Sequence, residues 1–287
     1  MSKASPAPAH GSAGPSPSGG PPGGRVRGVI VLAVVLAGMA LWEGVKAVWR
    51  IPDFKLPHTY AILGELFRRT GAGELWVVAL GRNALVTGRE AAVGFLAGGI
   101  AGFAIAVAFI SWPLMEQGLL PYVVASQTVP ILAIAPMVVV WLGTGWFSKA
   151  IIASYLTFFP VAINALRGLR AVQPDALALM RSYGANRRQI FFKLRLPASV
   201  PYLFTALKIS ATASVVGAII GELPVGSSAG MGVVIINAAQ YYTFRPTNLW
   251  AAILVAALLG IAFYFLVAGA ERVLMRGQRP PAEEGIA

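Results

Sequence analysis

The sequence predicts an all-α, polytopic membrane protein with about six transmembrane helices. Three observations predict it. Of 287 residues, 57% are hydrophobic and 12% are charged, where soluble domains carry about 25% charged residues. Mean hydropathy is +0.71. Apolar runs recur at roughly 20 residues, the length that crosses about 30 Å of hydrocarbon at 1.5 Å per residue.

Composition also excludes chemistry. There is no cysteine, so disulfides, thiolate metal sites and cysteine catalysis are absent. His10 lies in the N-terminal tail and His58 in a loop, so no histidine metal site or triad is expected within the membrane. The net charge of +12 reports topology and contact with anionic lipid. No soluble basic segment is long enough to bind nucleic acid. No internal repeat is evident.

Residues 1–24 are rich in Pro, Gly, Ser and Ala and read as a disordered cytoplasmic tail. The tail lacks a basic start, and the apolar run after it is long for a signal peptide. A transmembrane domain follows over 25–277, with a second tail at 278–287. The first span is 26–48. A loop covers 49–74, and 75–87 is expected to be an interfacial helix. The second span is 90–110, where Gly94, Gly98 and Gly102 make a small-residue stripe for close helix packing. Simple tolerance of glycine is the other reading of that stripe.

Residues 111–120 are expected to turn. The third span, 121–142, is interrupted by Gln127, Thr128, Pro130 and Pro136. Such groups at membrane depth need protein or a water-filled cavity to receive them. The fourth span, 149–166, holds Pro160 and Asn164. The fifth, 202–223, carries Lys208 and Glu222, and the sixth is 249–270. Gln127, Asn164 and Glu222 are candidates for a solute pathway. For Gln127 and Asn164 the alternative is an interhelical hydrogen bond. Glu222 lines an outer gate or pairs with Arg245. Lys208 is expected to snorkel to the interface.

Residues 167–201 form the one long basic interval between apolar runs. Arg167, Arg170, Arg181, Arg187, Arg188, Lys193 and Arg195 stand against Asp175 alone. Six spans put this interval and both termini on one face, and its basic excess makes that face cytoplasmic. The six Lys and Arg of 50–89 oppose this assignment mildly. Within the interval, Asp175 is expected to cap a helix that ends at a left-handed Gly184. Asn186 with Gln189 resembles a capping box opening a second helix, which Pro197 and Pro201 are expected to stop. Leu179, Met180 and Tyr183 share one helical face, and Ile190, Phe191 and Leu194 share another. Those faces dock either on a partner or on the protein's own bundle.

RSYGANRRQIFFKLRLPASVP resembles the cytoplasmic EAA loop of ABC importer permeases of the binding-protein-dependent, MetI-like fold. That loop places a Gly three residues after its EAA element. Nine residues then precede an aliphatic residue, any residue, and Leu-Pro. Gly184 and Leu194-Arg195-Leu196-Pro197 match. The departure is Ala178-Leu179-Met180 at the EAA position, where the acid is missing and Asp175 lies one turn earlier. SQTVPILAIAPMVVVWLGTG resembles the family's third span, GELPVGSSAGMGVVIINAAQYYTF its E…GLG segment, and AERVLMRG its closing helix end. The match runs in order over 75–277 and is similar to the nitrate, sulfonate and taurine branch, with vitamin and pyrimidine-precursor members nearby.

The resemblance implies a permease subunit of the plasma (inner) membrane of a prokaryote, with both termini cytoplasmic. It implies a homodimer or a pair with a similar subunit, cytoplasmic ATPase subunits, and an extracytoplasmic solute-binding protein. ATP is used by the partner subunit. This chain binds no cofactor and no metal, and without a GxxxxGK[ST] loop it is not an enzyme. Asp175, Leu179, Met180, Tyr183, Gly184, Ile190, Phe191, Leu194 and Pro197 would couple to the ATPase. The solute would be a small organic anion of the sulfonate, taurine or nitrate type, or a vitamin or pyrimidine precursor. An ion-coupled carrier needs ionisable groups at mid-span, and only Lys208 and Glu222 come near. A non-transporting scaffold has no use for prolines and polar groups inside the third and fourth spans.

Overall fold

In the computed structural model the described residues are 24–275, apart from 72 and 225. The tails expected at 1–24 and 278–287 lie outside them, except Gly24, which opens the first helix. The chain divides after Ile51 into two compact units.

The first unit is one helix, α1 (Gly24–Val48), with a closing turn. Its valines and leucines from Val26 to Leu41 are exposed, the condition of a helix segment facing lipid. The second unit holds α2 (Thr59–Leu66), α3 (Trp76–Ser111), α4 (Pro113–Ser126), α5 (Ile131–Leu142) and α6 (Trp146–Arg170). It continues with α7 (Pro174–Ser182), α8 (Arg187–Ile190), a π-helical turn at Phe191–Arg195, α9 (Leu196–Glu222), α10 (Met231–Gln240) and α11 (Pro246–Leu274). No strand occurs among the described residues, only an isolated bridge between Arg69 and Leu75. Among the described residues, five helices are long and apolar enough to cross a membrane, and α4 with α5 makes a sixth if that bent pair counts as one span.

The core is α6 held between α3 and α9. Gly94, Gly98 and Gly102 are all buried, and a Cβ on any of them would overlap the α6 backbone or the side chains of Ala153, Thr157 and Val161. The stripe therefore sets a close α3–α6 contact. From the other side Gly217 of α9 lies against Ala153, whose Cα would be 2.7 Å from a Cβ there. Two apolar clusters mark the two ends of this layer. Ala91, Ala153, Val215 and Ala218 pack at one end. Phe109, Leu166 and Leu169, with Phe191 and Leu203 against them, pack at the other, beside 167–201.

Several sequence expectations are corrected. The interfacial helix at 75–87 and the span at 90–110 are one helix of 36 residues, about 54 Å long. Arg89 and Glu90 break the hydropathy run without breaking the helix, because Glu90 is buried and pairs with Lys149. The turn expected at 111–120 is helical, with Pro113 in the first turn of α4, where its missing N–H costs nothing. The third span is interrupted as expected, at Gln127–Pro130, with a 98° bend between α4 and α5, but Pro136 lies inside α5 and does not break it.

Lys208 pairs through its Nζ with Glu271 of α11 at 2.8 Å. Asp175 does not cap α7. Gln173 holds the N-cap position without a side-chain bond, and Asp175 sits in the first turn. Pro197 and Pro201 do not stop the second helix. They lie within α9, which the π-helical turn joins to α8. The wider hydrogen-bond register just before Pro197 leaves its missing N–H at a place where the ordinary ladder is already interrupted.

Candidate functional site

The basic interval folds as two short helices around Gly184. Gly184 adopts φ +71°, and the N–H groups of Gly184 and Ala185 donate back to the carbonyls of Arg181 and Met180 at 2.9 and 3.0 Å. This is a glycine-closed helix end, satisfying carbonyls that α7 would otherwise leave open. Asn186 Oδ1 then accepts from the Gln189 N–H at 2.9 Å, and Gln189 Oε1 accepts from the Asn186 N–H at 2.8 Å. The capping box read from the sequence is complete.

The two apolar faces behave differently. Leu179 is 56% exposed and Tyr183 81% exposed, with Met180 half-buried between them. Ile190, Phe191 and Leu194 are half-buried, and Phe191 packs on the Phe109–Leu166–Leu169 cluster. So the second helix is fastened to the bundle while the first presents its face outward. Asp175 and Pro197 are exposed. At the root of the interval, Arg170 at the end of α6 pairs with the buried Glu116 of α4.

The broken third span makes the second feature. A cleft of about 360 Å³ lies beside the break, lined by Gln127, Pro130, Tyr155 and Phe159 among others. Tyr155 donates its hydroxyl to the Ser126 carbonyl at the end of α4, which fixes the ring beside the break. No lysine or arginine lines this cleft. The Gln127 side chain makes no hydrogen bond among the described residues, and neither do the Gln127 and Thr128 carbonyls with other backbone groups. Asn164 does not join the cleft. Its amide donates to the Pro160 carbonyl of its own helix at 2.8 Å.

The third feature gathers Glu222 with partners that no local pattern announces. Thr87, Glu90, Lys149 and Glu222 are all buried. Glu222 Oε1 accepts from the Thr87 hydroxyl at 2.6 Å, and Oε2 accepts from the Gly232 N–H at 2.6 Å. The Thr87 oxygen accepts from the Met231 N–H at 2.8 Å, and Asn83 Oδ1 from the Gly230 N–H at 2.9 Å. Three successive N–H groups opening α10 are thereby satisfied by side chains of α3 and α9, and the carboxylate sits where a helix N-terminus favours negative charge. Lys149 lies 3.6 Å from Glu90 and also attracts Glu222. Gly230 has φ +119°, and a Cβ on it would collide with the Glu222 carboxylate. No Glu222–Arg245 pair is present among the described residues. The Glu and Gly of the GELPVGSSAGMG stretch were legible as a motif; Thr87, Glu90 and Lys149 were not.

Comparison with known proteins adds the following. The profile of the family described as "Binding-protein-dependent transport system inner membrane component" matches residues 94–279. A probable ABC transporter permease protein of Haemophilus influenzae is 30% identical over 85% of this chain and 95% of its own. The riboflavin transport system permease protein RibX of Chloroflexus aurantiacus is 29% identical over 83% of this chain and 86% of its own. A putative aliphatic sulfonates transport permease protein, SsuC of Bacillus subtilis, is 28% identical over 88% of each chain. Among solved structures, an inward-facing MetNI methionine ABC transporter chain aligns with a TM-score of 0.59 at 19% identity, covering 68% of this chain and 96% of that one. That last likeness speaks to the fold.

Proposed function

The chain belongs to the family of binding-protein-dependent transport system inner membrane components and is an ABC importer permease subunit; from that premise we propose that 167–201 is where separate ATPase subunits drive it and that the broken third span is its solute pathway. The observation that carries the first part is the contrast between the two short helices. The outward face of Leu179 and Tyr183 is free to enter an ATPase groove. The anchored face of Phe191 is seated on α3 and α6, so a push on one is delivered to the other. ATP closes the ATPase pair, the two loops of a permease dimer approach, and the bundles rock between inward- and outward-facing states. Nucleotide and loaded binding protein bias the same two-state element from opposite ends.

In this reading the 167–201 end is cytoplasmic. The C-terminal end of α11 lies there too, because Glu271 pairs with Lys208 in the first half of α9. Glu222, with both oxygens taken by protein donors, acts as the outer latch that fixes the ends of α3, α6 and α9. Asp175 offers the acid missing at Ala178 from one turn earlier on α7.

For the solute, the cation-free cleft at Gln127 favours the vitamin or pyrimidine-precursor class over sulfonate, taurine or nitrate. Free carbonyls and an amide match a neutral ring bearing N–H groups, and Tyr155 and Phe159 supply surfaces for stacking. An oxyanion would face carbonyl oxygens with no positive charge to offset them. The test is co-expression with the ATPase subunit. Stoichiometric co-purification is expected with the native chain and is lost with Leu179→Asp and Tyr183→Asp together. Retention by that variant sinks the docking face.

A further inference from the structure

A second cleft, of about 630 Å³, opens where the basic interval meets the end of α3. Arg181 of α7, Arg187 and Arg188 of α8 and Arg195 of the π-helical turn line it, over a floor that includes Val107 and Ile110 of α3. None of these four arginines forms an ion pair among the described residues. The acid nearest the root of the interval, Glu116, is already taken by Arg170. Arg181 and Arg170 stand close enough to Arg195 to repel it. Four arginines line the cleft with no carboxylate among the lining residues.

We infer that this cleft binds the phosphate headgroup of an anionic phospholipid. Guanidinium forks match phosphate oxygens in bidentate pairs, and basic pockets between spans at the cytoplasmic surface suit such headgroups. The floor decides between lipid and protein. Val107 and Ile110 belong to the last two turns of α3, a membrane-spanning helix, so apolar wall and positive charge meet at the hydrocarbon boundary. A protein arriving from the water meets Leu179 and Tyr183 first, and neither lines the cleft. The bound lipid would hold α7 and α8 against α3 by neutralising arginines that otherwise repel each other. This extends the coupling proposal without depending on it, since it requires only that α3 crosses a membrane.

The test uses the full chain in vesicles of phosphatidylcholine with or without phosphatidylglycerol, followed by native mass spectrometry of the detergent-extracted protein. One phosphatidylglycerol per chain is expected to survive extraction. Arg181→Ala with Arg195→Ala is expected to lower its affinity about thirtyfold. Arg181→Lys with Arg195→Lys keeps the charge and loses the fork, so it falls between, which serves if the alanine variant folds poorly. Three results overturn the inference: equal retention by native and alanine variants, inorganic phosphate binding as tightly as phosphatidylglycerol, or displacement of the lipid when the ATPase subunit binds.

Discussion

The Thr87 hydroxyl of α3 donates to the Glu222 carboxylate at the end of α9, 2.6 Å away and 135 residues along the chain. The same oxygen accepts the first N–H of α10. One threonine therefore closes a junction of three helices. Thr87→Val keeps the shape and removes both bonds, leaving the Met231 N–H and a carboxylate oxygen buried without partners. The expected loss is about 1–3 kcal/mol, read as a lower midpoint of thermal unfolding in detergent. Thr87→Ser restores the hydroxyl and should recover most of it. An unchanged midpoint in the valine variant would show that the junction contributes nothing.

Glycines of α3 separate packing from propensity. Gly94→Ala places a methyl against the Ala150 carbonyl and the Ala153 side chain, where neither can yield without moving α6. The expected cost is about 1–3 kcal/mol. Gly81→Ala, on the same helix, meets nothing within 4 Å and should gain up to about 1 kcal/mol from helix propensity. Opposite signs for the two substitutions in the same unfolding assay are the expected outcome.

Gly184→Val tests the hinge. A β-branched residue at φ +71° is strained by about 1–3 kcal/mol, and the return bonds to Arg181 and Met180 lose their geometry. The spans do not depend on this turn, so the variant should insert and retain its helical content. ATP-driven uptake by the assembled transporter should fall to background. Normal uptake by this variant would mean that the docking account of 167–201 is wrong.

These junctions differ in how far the sequence foretells them. The glycine stripe, the left-handed Gly184 and the Asn186–Gln189 box are local patterns, and each is found where its spacing puts it. The charged junction is not local. Glu90 reads as the polar start of one span and Lys149 as the polar start of another, and only the packing of α3 on α6 brings them together. The continuity of α3 was missed for the same reason, since a buried partner removes the penalty that made Glu90 look like a boundary. Pro197 misled in a different way. Local rules treat proline as a stop, but a π-helical turn absorbs the lost N–H, and nothing in residues 191–197 signals that register ahead of the fold.

Gln127 separates the structural account of the pathway from the functional one. If its amide served an interhelical bond, Gln127→Leu would lower stability and leave uptake kinetics alone. Its side chain has no hydrogen-bond partner among the described residues, so removing the amide costs the fold nothing. Gln127 instead lines the cleft with Tyr155 and Phe159. A single hydrogen bond to a passing solute contributes about 0.5–1.5 kcal/mol, which corresponds to roughly a two- to twelvefold change. Gln127→Leu is therefore expected to raise KM for uptake of a neutral nitrogen heterocycle by that factor with an unchanged unfolding midpoint. Tyr155→Phe should do something different. It breaks the bond to the Ser126 carbonyl that holds the ring beside the break, so it is expected to lower both uptake and the unfolding midpoint. A fall in stability with Gln127→Leu at unchanged KM would return Gln127 to a structural role and leave the pathway to be sought elsewhere in the bundle.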